Sequence, residues 1–282
     1  MTVAETAPAE AEQVASKSSF FAGMRILPKA EREAMYAIYG FCRIVDDIAD
    51  DQTLPLAEQR ARLDRWRHDL DALYAGGDPG QAGMLAEAVR RYGLDKADFL
   101  AVVDGMQMDL EGIRSPSLET LYLYCDRVAV AVGRLSVKVF GMPSEAGEAL
   151  AHHLGRALQL TNVLRDLDED AELGRLYLPA EYLKDADITT KIPERAIVAP
   201  RVAEVCERLA ETAEAHFREA HAIMAARPRG RLIAPRLMGA AYAGILKELR
   251  ARGWSTPRRR VRTSKVRLIG LLVREGLFGW IG

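Results

Sequence analysis

Two pairs of aspartates have a spacing that suits metal binding. Asp46 and Asp50 lie in the stretch GFCRIVDDIADD, and Asp166 and Asp170 lie in RDLDED. On a helix of about 3.6 residues per turn, residues four apart share a face. Two carboxylates placed in this way repel, and facing a cavity they cost still more unless a cation lies between them. Mg²⁺ suits such a pair, since it is a hard ion that retains waters and also binds substrate phosphates.

The neighbours of the first pair decide between this interpretation and a solvated helix end, which accounts for most acidic runs. A helix over 29–51 carries an apolar stripe of Met35, Ile38, Tyr39, Cys42 and Val45. Asp46 follows Cys42 by four residues and Asp50 follows Asp46 by four, so both continue the stripe. We therefore expect these two carboxylates to face a cavity and Asp51 to be solvated, and we leave Asp47 open.

The second pair ends a row of polar residues on an otherwise apolar helix. The members of this row are Gln159, Asn162, Asp166 and Asp170, at spacings of three, four and four. Hydrogen bonding between helices is the alternative role for the two amides. Gly174 is a plausible C-terminal cap, and the turn GRLYLP is predicted to fold Arg175 and Tyr177 back over the open end of a cavity.

The chemistry follows if both helices line one bundle. The two acidic pairs then face each other and hold several Mg²⁺ ions around a diphosphate. The ions, with Arg43 and Arg165 nearby, would neutralise a leaving diphosphate so that an allylic C–O bond ionises. Apolar and aromatic walls would enclose a hydrocarbon chain and stabilise a carbocation.

The elements that position these residues are helices, because apolar residues recur with helical periodicity almost throughout. The predicted helices cover 19–24, 29–51, 56–75, 81–92, 95–111, 117–140, 145–171, 179–184, 194–226 and 232–253. Gly and Pro residues separate them. The sequence therefore predicts a disordered tail over 1–17 and one all-α domain over 18–282, which ends in a basic amphipathic segment from about 255.

Composition excludes several functional classes. Net charge is −1 and hydrophobic residues make up 49%, so nothing indicates nucleic-acid binding. Three scattered cysteines form no disulfide framework and fit a reducing cytoplasm. The five histidines lie in no HExxH or ExxH arrangement, so we do not expect a histidine metal site. The N-terminus does not resemble a signal peptide, and no run approaches the ~20 apolar residues that span a bilayer.

The C-terminal segment has two interpretations. Its basic residues precede a short apolar run with Phe278 and Trp280. The segment is either a final helix packed on the domain or an amphipathic element lying on anionic lipid. The second interpretation adds peripheral contact with the inner face of the membrane to a cytoplasmic location. No glycine-rich dinucleotide fingerprint is present.

Five stretches in order resemble conserved blocks of the squalene and phytoene synthases. They are SSFFAGMRILP, YAIYGFCRIVDDIADD, LYLYCDRVAVAVG, QLTNVLRDLDEDAELGRLYLP and MGAAYAGILKEL. The resemblance covers about residues 18–254. Within the family, the two aspartate blocks look most like the bacterial presqualene diphosphate synthases of hopanoid biosynthesis.

The resemblance implies an isoprenoid synthase fold, a helical bundle around a central cavity, and condensation of two farnesyl diphosphates with several Mg²⁺ ions and without NADPH. The implied catalytic residues are Asp46, Asp50, Asp166, Asp170, Tyr39 and Tyr177. The implied metal ligands are the same four aspartates and Asn162. The implied substrate-binding residues are Ser19, Phe20, Arg43, Gln159, Asn162, Arg165 and Tyr242.

Three alternatives remain at this point. A phytoene synthase would use longer substrates on the same scaffold, and a full squalene synthase would continue with NADPH. A non-enzymatic helical bundle is the alternative from another class. The catalytic base is also open between released diphosphate and a tyrosine.

Overall fold

The computed structural model describes residues 24–261, and these residues are helical apart from short connections and one isolated β-bridge between Arg114 and Leu176. The predicted all-α class is therefore confirmed. The helices are α1 (Lys29–Asp50), α2 (Leu56–Ala75), α3 (Ala86–Tyr92), α4 (Lys96–Glu111), α5 (Leu118–Cys125), α6 (Ala131–Val139), α7 (Ser144–Arg165), α8 (Leu167–Glu172), α9 (Ala180–Asp185), α10 (Pro193–Ala196), α11 (Val202–Ala225) and α12 (Ile233–Arg252). A 3₁₀ helix, Gly80–Leu85, precedes α3, and a π-helical segment, Asp126–Val130, joins α5 to α6.

Four predicted helices are divided in the structure, and the one predicted over 81–92 consists of the 3₁₀ helix followed by α3. The helix predicted over 117–140 contains the π-helical segment, and the one predicted over 194–226 is interrupted between α10 and α11. The helix predicted over 145–171 is broken at Asp166, whose φ of −106° and ψ of 21° leave the helical region. The i→i−4 hydrogen bonds nevertheless continue on both sides of Asp166, at 2.9 Å from its amide to Asn162 O and 2.8 Å from the Asp170 amide to Asp166 O. The predicted helix over 19–24 lies almost entirely outside the described residues.

Three residues of the stripe predicted for α1, Met35, Ile38 and Val45, are buried as predicted, whereas Tyr39 and Cys42 are only partly buried. Phe41 is fully buried and packs edge-on against Trp66 and Phe99, with ring centroids 5.2 and 5.3 Å away. Cys42, predicted to be in the core, is only partly buried and lines a cavity. Phe41 and Cys42 are one residue apart, or about 100° around the helix. The helix thus presents one face to the core and the adjacent face, which carries Asp46 and Asp50, to the cavity.

Two hydrophobic clusters flank the cavity. The N-terminal cluster unites α1, α2, α3, α4 and most of α6. The C-terminal cluster contains most of the core of α7 and α11 and the buried residues at the end of α12. Helix α6 packs against both α1 and α7, while α4 packs against α1 and against the π-helical segment, which in turn packs on α7. Helices α4 and α6 and the π-helical segment therefore connect α1, which carries the first acidic pair, to α7, which leads into the second.

Two glycines allow the π-helical segment to approach its neighbours closely. A Cβ atom at Gly105 on α4 would lie 2.4 Å from Cγ1 of Val128, and one at Gly155 on α7 would lie 2.9 Å from Cα of Val130. Larger residues at these positions would push the segment away from the cavity wall.

Among residues 24–261, no helix is both long and apolar enough to cross a bilayer.

Candidate active site

A cavity of about 450 Å³ opens between the two clusters. Its lining combines acidic, basic, amide, aromatic and apolar side chains. The lining residues are Cys42, Arg43, Asp46, Asp50, Val102, Met106, Asp109, Tyr124, Val128, Gln159, Asn162, Val163, Arg165, Asp166, Glu169, Asp170, Leu173, Arg175, Tyr177 and Arg260. Both predicted acidic pairs are therefore brought to one cavity.

The first acidic pair shares a guanidinium with its neighbour in sequence. Arg43 donates to Oδ2 of Asp46 and to Oδ1 of Asp47, both at 2.6 Å. Burial, and then the charge of Asp50, raise the pKa of Asp46 to about 7, although Arg43 acts the other way. Asp47 is largely exposed, and Asp51 accepts hydrogen bonds from the amide and hydroxyl of Thr53 in a solvated turn. Asp46 and Asp50 thus form the cavity-facing pair of this helix end.

The second acidic pair is held by arginines from two segments. Arg165 forms a two-pronged ion pair with Asp166, with Nε 2.8 Å from Oδ1, and Nε of Arg260 lies 3.0 Å from the same oxygen. Burial, and then the charge of Asp166, raise the pKa of Asp170 to about 8. At both Asp46 and Asp170, burial and a neighbouring carboxylate thus outweigh the nearby arginine and disfavour the ionised form.

The turn after α8 connects the two acidic pairs. Gly174 adopts a left-handed φ of +73°, as the predicted cap requires. Arg175 then donates 2.7 Å to Oδ1 of Asp50 and 3.0 Å to the carbonyl oxygen of Ala49, while its amide donates 2.8 Å to the carbonyl of Asp170. Arg175 and Tyr177 therefore both lie at the cavity, as expected if the turn folds them back towards it.

Asn162 provides an oxygen that fits a metal ligand. Its Nδ2 donates 3.2 Å to Oε1 of Gln159, whereas its Oδ1 is buried and has no hydrogen-bond partner among the described residues. Buried polar atoms are nearly always paired, so this one calls for an explanation. Together with two raised carboxyl pKa values, the oxygen-rich donor set fits Mg²⁺.

A buried carboxylate that the sequence reasoning missed lies at the cavity wall. Asp109 of α4 accepts 2.6 Å from the hydroxyl of Tyr177 and 3.1 Å from that of Tyr124. The two tyrosine rings stack with centroids 4.9 Å apart. Burial raises the pKa of Asp109 to about 6. Asp109 follows Val102 and Met106 on one face of α4, and this is the same pattern of an acid extending an apolar stripe that identified Asp46.

The basic residues just after Trp254 were also missed as site residues. Arg258 forms a two-pronged ion pair with Asp168, at 2.8 and 3.0 Å, and donates to the carbonyls of Ile197 and Trp254. Arg260 contacts Asp166, as described above. The beginning of the predicted amphipathic segment therefore packs on α8, while residues 262–282 lie outside the described part.

Four predicted residues are not among the lining residues of the cavity. Tyr39 and Tyr242 are partly buried and pack against the N-terminal and C-terminal clusters, respectively. The guanidinium carbon of Arg165 lies 5.9 Å from the ring centroid of Tyr242, so this tyrosine contacts the site indirectly. Ser19 and Phe20 lie outside the described residues.

Comparison with known sequences identifies relatives of the whole chain. The sequence pattern of the family described as squalene/phytoene synthase matches residues 14–267. A presqualene diphosphate synthase of Zymomonas mobilis is 58% identical over 92% of this chain and 89% of its own length. One of Rhodopseudomonas palustris is 50% identical over 98% and 100%. A 15-cis-phytoene synthase of Synechococcus elongatus is 39% identical, but over 62% of this chain and 61% of its own length.

Comparison with solved structures gives the same fold. The crystal structure of a dehydrosqualene synthase with a bound ligand superposes with a TM-score of 0.80, covers 98% of both chains and is 26% identical. The predicted isoprenoid synthase fold is therefore confirmed.

Proposed function

Because the chain belongs to the squalene/phytoene synthase family, we propose that it is a Mg²⁺-dependent prenyltransferase that joins two farnesyl diphosphates head to head. The product would be presqualene diphosphate, with release of one diphosphate. The observation that carries the proposal is that both acidic pairs line one cavity. The relatives of 58% and 50% identity, both presqualene diphosphate synthases, favour this product over phytoene.

The metal ligands in this proposal are Asp46, Asp50, Asn162, Asp166 and Asp170. Bound Mg²⁺ ions would supply Lewis-acid stabilisation of the leaving diphosphate. Burial, and then a neighbouring carboxylate, raise the pKa values of Asp46 and Asp170. A bound ion would compensate the negative charge of both carboxylates and so favour their ionised form.

The arginines of the cavity would bind the diphosphate. Arg43, Arg165 and Arg260 now pair with carboxylates of the two acidic clusters. Cations at those carboxylates would free the guanidinium N–H groups to donate to phosphate oxygens. The planar guanidinium group suits this role, because two of its N–H groups can donate to one phosphate together. Positive charge would then develop on the first farnesyl group in a cavity that also has the apolar walls Val102, Met106 and Val163.

Bond formation ends with the loss of one proton. The allylic cation of the first farnesyl group attacks the C2=C3 double bond of the second. A proton then leaves a neighbouring carbon, and its electron pair closes the cyclopropane. Tyr177 is suited to accept this proton on its hydroxyl oxygen while passing its own proton to Asp109, 2.6 Å away. The raised pKa of Tyr177 disfavours a free tyrosinate, so the carboxylate is the final acceptor in this relay.

The C-terminal residues 262–282 are proposed to rest on anionic lipid. Arg262, Lys265, Arg267 and Arg274 precede or flank apolar residues there, and a basic amphipathic segment suits a lipid surface. Peripheral attachment at the inner face of the membrane would place the enzyme beside the destination of its apolar product.

Product analysis tests the function directly. The full chain is incubated with farnesyl diphosphate and Mg²⁺, with and without NADPH, and the products are identified by mass spectrometry. We expect presqualene diphosphate in equal amounts in both reactions. Squalene that appears only with NADPH would support the full squalene synthase. Faster turnover of geranylgeranyl diphosphate to phytoene or its cyclopropyl precursor would support the phytoene synthase. The absence of diphosphate release would reject the enzymatic assignment.

A further inference from the structure

Three histidines meet on the interface between α7 and α11, outside the aspartate cavity. His152 and His153 are consecutive on α7, and His216 comes from α11. One ring nitrogen from each lies within 4.8 Å of the other two, and Nδ1 of His153 is 3.0 Å from Nδ1 of His216. All three side chains are partly buried and none lines the aspartate cavity.

We propose that His152, His153 and His216 form a second metal site, which binds a first-row transition ion of the Zn²⁺ type and links α7 to α11. Three imidazoles are a complete protein ligand set for a zinc ion that keeps a water in its fourth position. With Zn–N distances near 2.1 Å, tetrahedral ligand nitrogens are about 3.4 Å apart. The His153 and His216 nitrogens are 3.0 Å apart and all three lie within 4.8 Å of one another, so small ring rotations would bring them to this spacing.

The histidine pair is already arranged as a ligand pair would be. With both Nδ1 atoms 3.0 Å apart, one imidazole must donate and the other accept, which requires at least one neutral ring. A metal ion between the two nitrogens replaces that hydrogen bond once the donor ring moves its proton from Nδ1 to Nε2. No net proton is lost in that change of tautomer.

Burial keeps these rings in the form that metals bind. It lowers the pKa of His216 to about 4 and also lowers the pKa of His152. Metal ions require the neutral imidazole. At neutral pH, these two rings are therefore uncharged and need no deprotonation before binding.

The charges of the nearest arginine and carboxylate partly offset each other at the site. Arg156, one turn after His152 and His153, would by itself repel a cation. It is matched by Asp126, which accepts from its Nε at 2.8 Å and from its Nη2 at 2.7 Å. Asp126 thus offsets part of the repulsion between Arg156 and a bound cation, although the arginine has the larger effect on both His152 and His216.

The donor chemistry separates this site from the aspartate cavity. Imidazole nitrogens favour Zn²⁺, Co²⁺, Ni²⁺ and Cu²⁺, whereas carboxylate oxygens suit Mg²⁺. The two sites therefore select different ions. A metal between α7 and α11 would hold in place the helix that carries Gln159 and Asn162, and so would stabilise the C-terminal half of the bundle.

Calorimetric titration with Zn²⁺ tests the proposal on untagged full-length protein, with Mg²⁺ in large excess to compete at the carboxylates. We compare the wild type with H216Q and H153Q, and use H221Q as the matched control, since His221 is exposed on the same helix. Circular dichroism verifies that each variant is folded. We expect one site in the wild type and in H221Q, and affinity at least about 10-fold weaker in H216Q and H153Q.

Two further readouts distinguish a built site from adventitious binding. Co²⁺ should give the intense visible absorption of a four-coordinate ion in the wild type and in H221Q, and this absorption should be lost in H216Q. Zn²⁺ should raise the unfolding temperature of the wild type more than that of H216Q. Equal Zn²⁺ affinity in the wild type and H216Q, or an equal loss in H221Q, would overturn the proposal.

Discussion

Nη1 of Arg175 lies 2.7 Å from Oδ1 of Asp50 and joins two segments that are 125 residues apart in sequence. Its Nη2 donates 3.0 Å to the carbonyl oxygen of Ala49, in the last turn of α1. That turn contains no basic residue of its own, so Arg175 supplies the positive charge that favours a helix C-terminus. One side chain thus fixes where the first acidic pair lies relative to the second.

Arg175→Lys should lower kcat by about 10- to 100-fold, because an ammonium group cannot reproduce the two-pronged contact that positions the pair. Steady-state kinetics at saturating Mg²⁺ measure this effect. Arg208→Lys is the control, since Arg208 forms an exposed ion pair with Asp185. A kcat for Arg175→Lys equal to that of the control would show that this contact does not position the site.

Asp46→Asn and Asp166→Asn should each reduce activity roughly 100-fold or more while the fold persists. Each substitution removes a proposed ligand charge from a crowded acidic cluster. Without metal, the unfolding temperature should be unchanged or higher for Asp46→Asn, because burial already disfavours that carboxylate. It should be lower for Asp166→Asn, because Arg165 loses its two-pronged partner. Asp51→Asn is the control, because Asp51 lies in a solvated turn. Turnover near that of the wild type in either cavity variant would reject the assignment of that residue as a metal ligand.

Tyr177→Phe should separate ionisation from ring closure, because the proton acceptor is removed while the acidic pairs are retained. Diphosphate release should then exceed formation of presqualene diphosphate, and the excess should appear as farnesol or hydrocarbon. Both products are quantified in the same reaction. Tyr182→Phe is the control, since Tyr182 packs under Arg208, away from the cavity. Equal release and product formation in Tyr177→Phe would remove this residue from the relay.

Asp109→Asn should change how stability depends on pH. The folded protein keeps the Asp109 proton up to about pH 6, whereas the unfolded chain loses it near pH 4. The folded state binds more protons in this window, so the Asp109 contribution to the free energy of unfolding falls as pH rises from about 4 to 6. Asparagine does not ionise.

The stability of Asp109→Asn relative to the wild type should therefore rise between pH 4.5 and 7, by at most about 3 kcal/mol. Urea unfolding in EDTA at several pH values measures this difference. An offset that stays constant across the range would show that Asp109 ionises normally.

Truncation after Val261 should weaken binding to anionic vesicles in a salt-sensitive manner, because it removes the basic residues from Arg262 onward. It retains Arg258 and Arg260, which contact α8, so Mg²⁺-dependent activity on soluble substrate is the internal control. Vesicle flotation gives the measurement, with neutral vesicles as the reference. Equal flotation of both chains would reject the lipid contact.

Local sequence predicted the helices well and their irregularities poorly. Helix α1 ends one residue from its predicted end, because apolar periodicity and the following acids are both local signals. The break at Asp166 and the π-helical segment at 126–130 have no Gly or Pro to mark them. They depend on packing against neighbouring helices, which sequence periodicity does not contain.

Site residues were predictable where they repeat and missed where they stand alone. Asp46 and Asp170 belong to pairs, whereas Asp109 has no second acid four residues away to draw attention to it. Arg260 was assigned to the basic amphipathic segment that begins near residue 255, and the apolar residues later in that segment favoured a role at a lipid surface. His216 is 63 residues from His153, so only the packing of α7 on α11 brings their rings together.

The position of Arg260 in the chain has a consequence for synthesis on the ribosome. The cavity takes side chains from residues as far apart in sequence as Cys42 and Arg260. A nascent chain therefore carries both acidic pairs well before this arginine has been translated. The complete set of cavity side chains can assemble only after α9 to α12, which lie between Asp170 and Arg260, have also been synthesised.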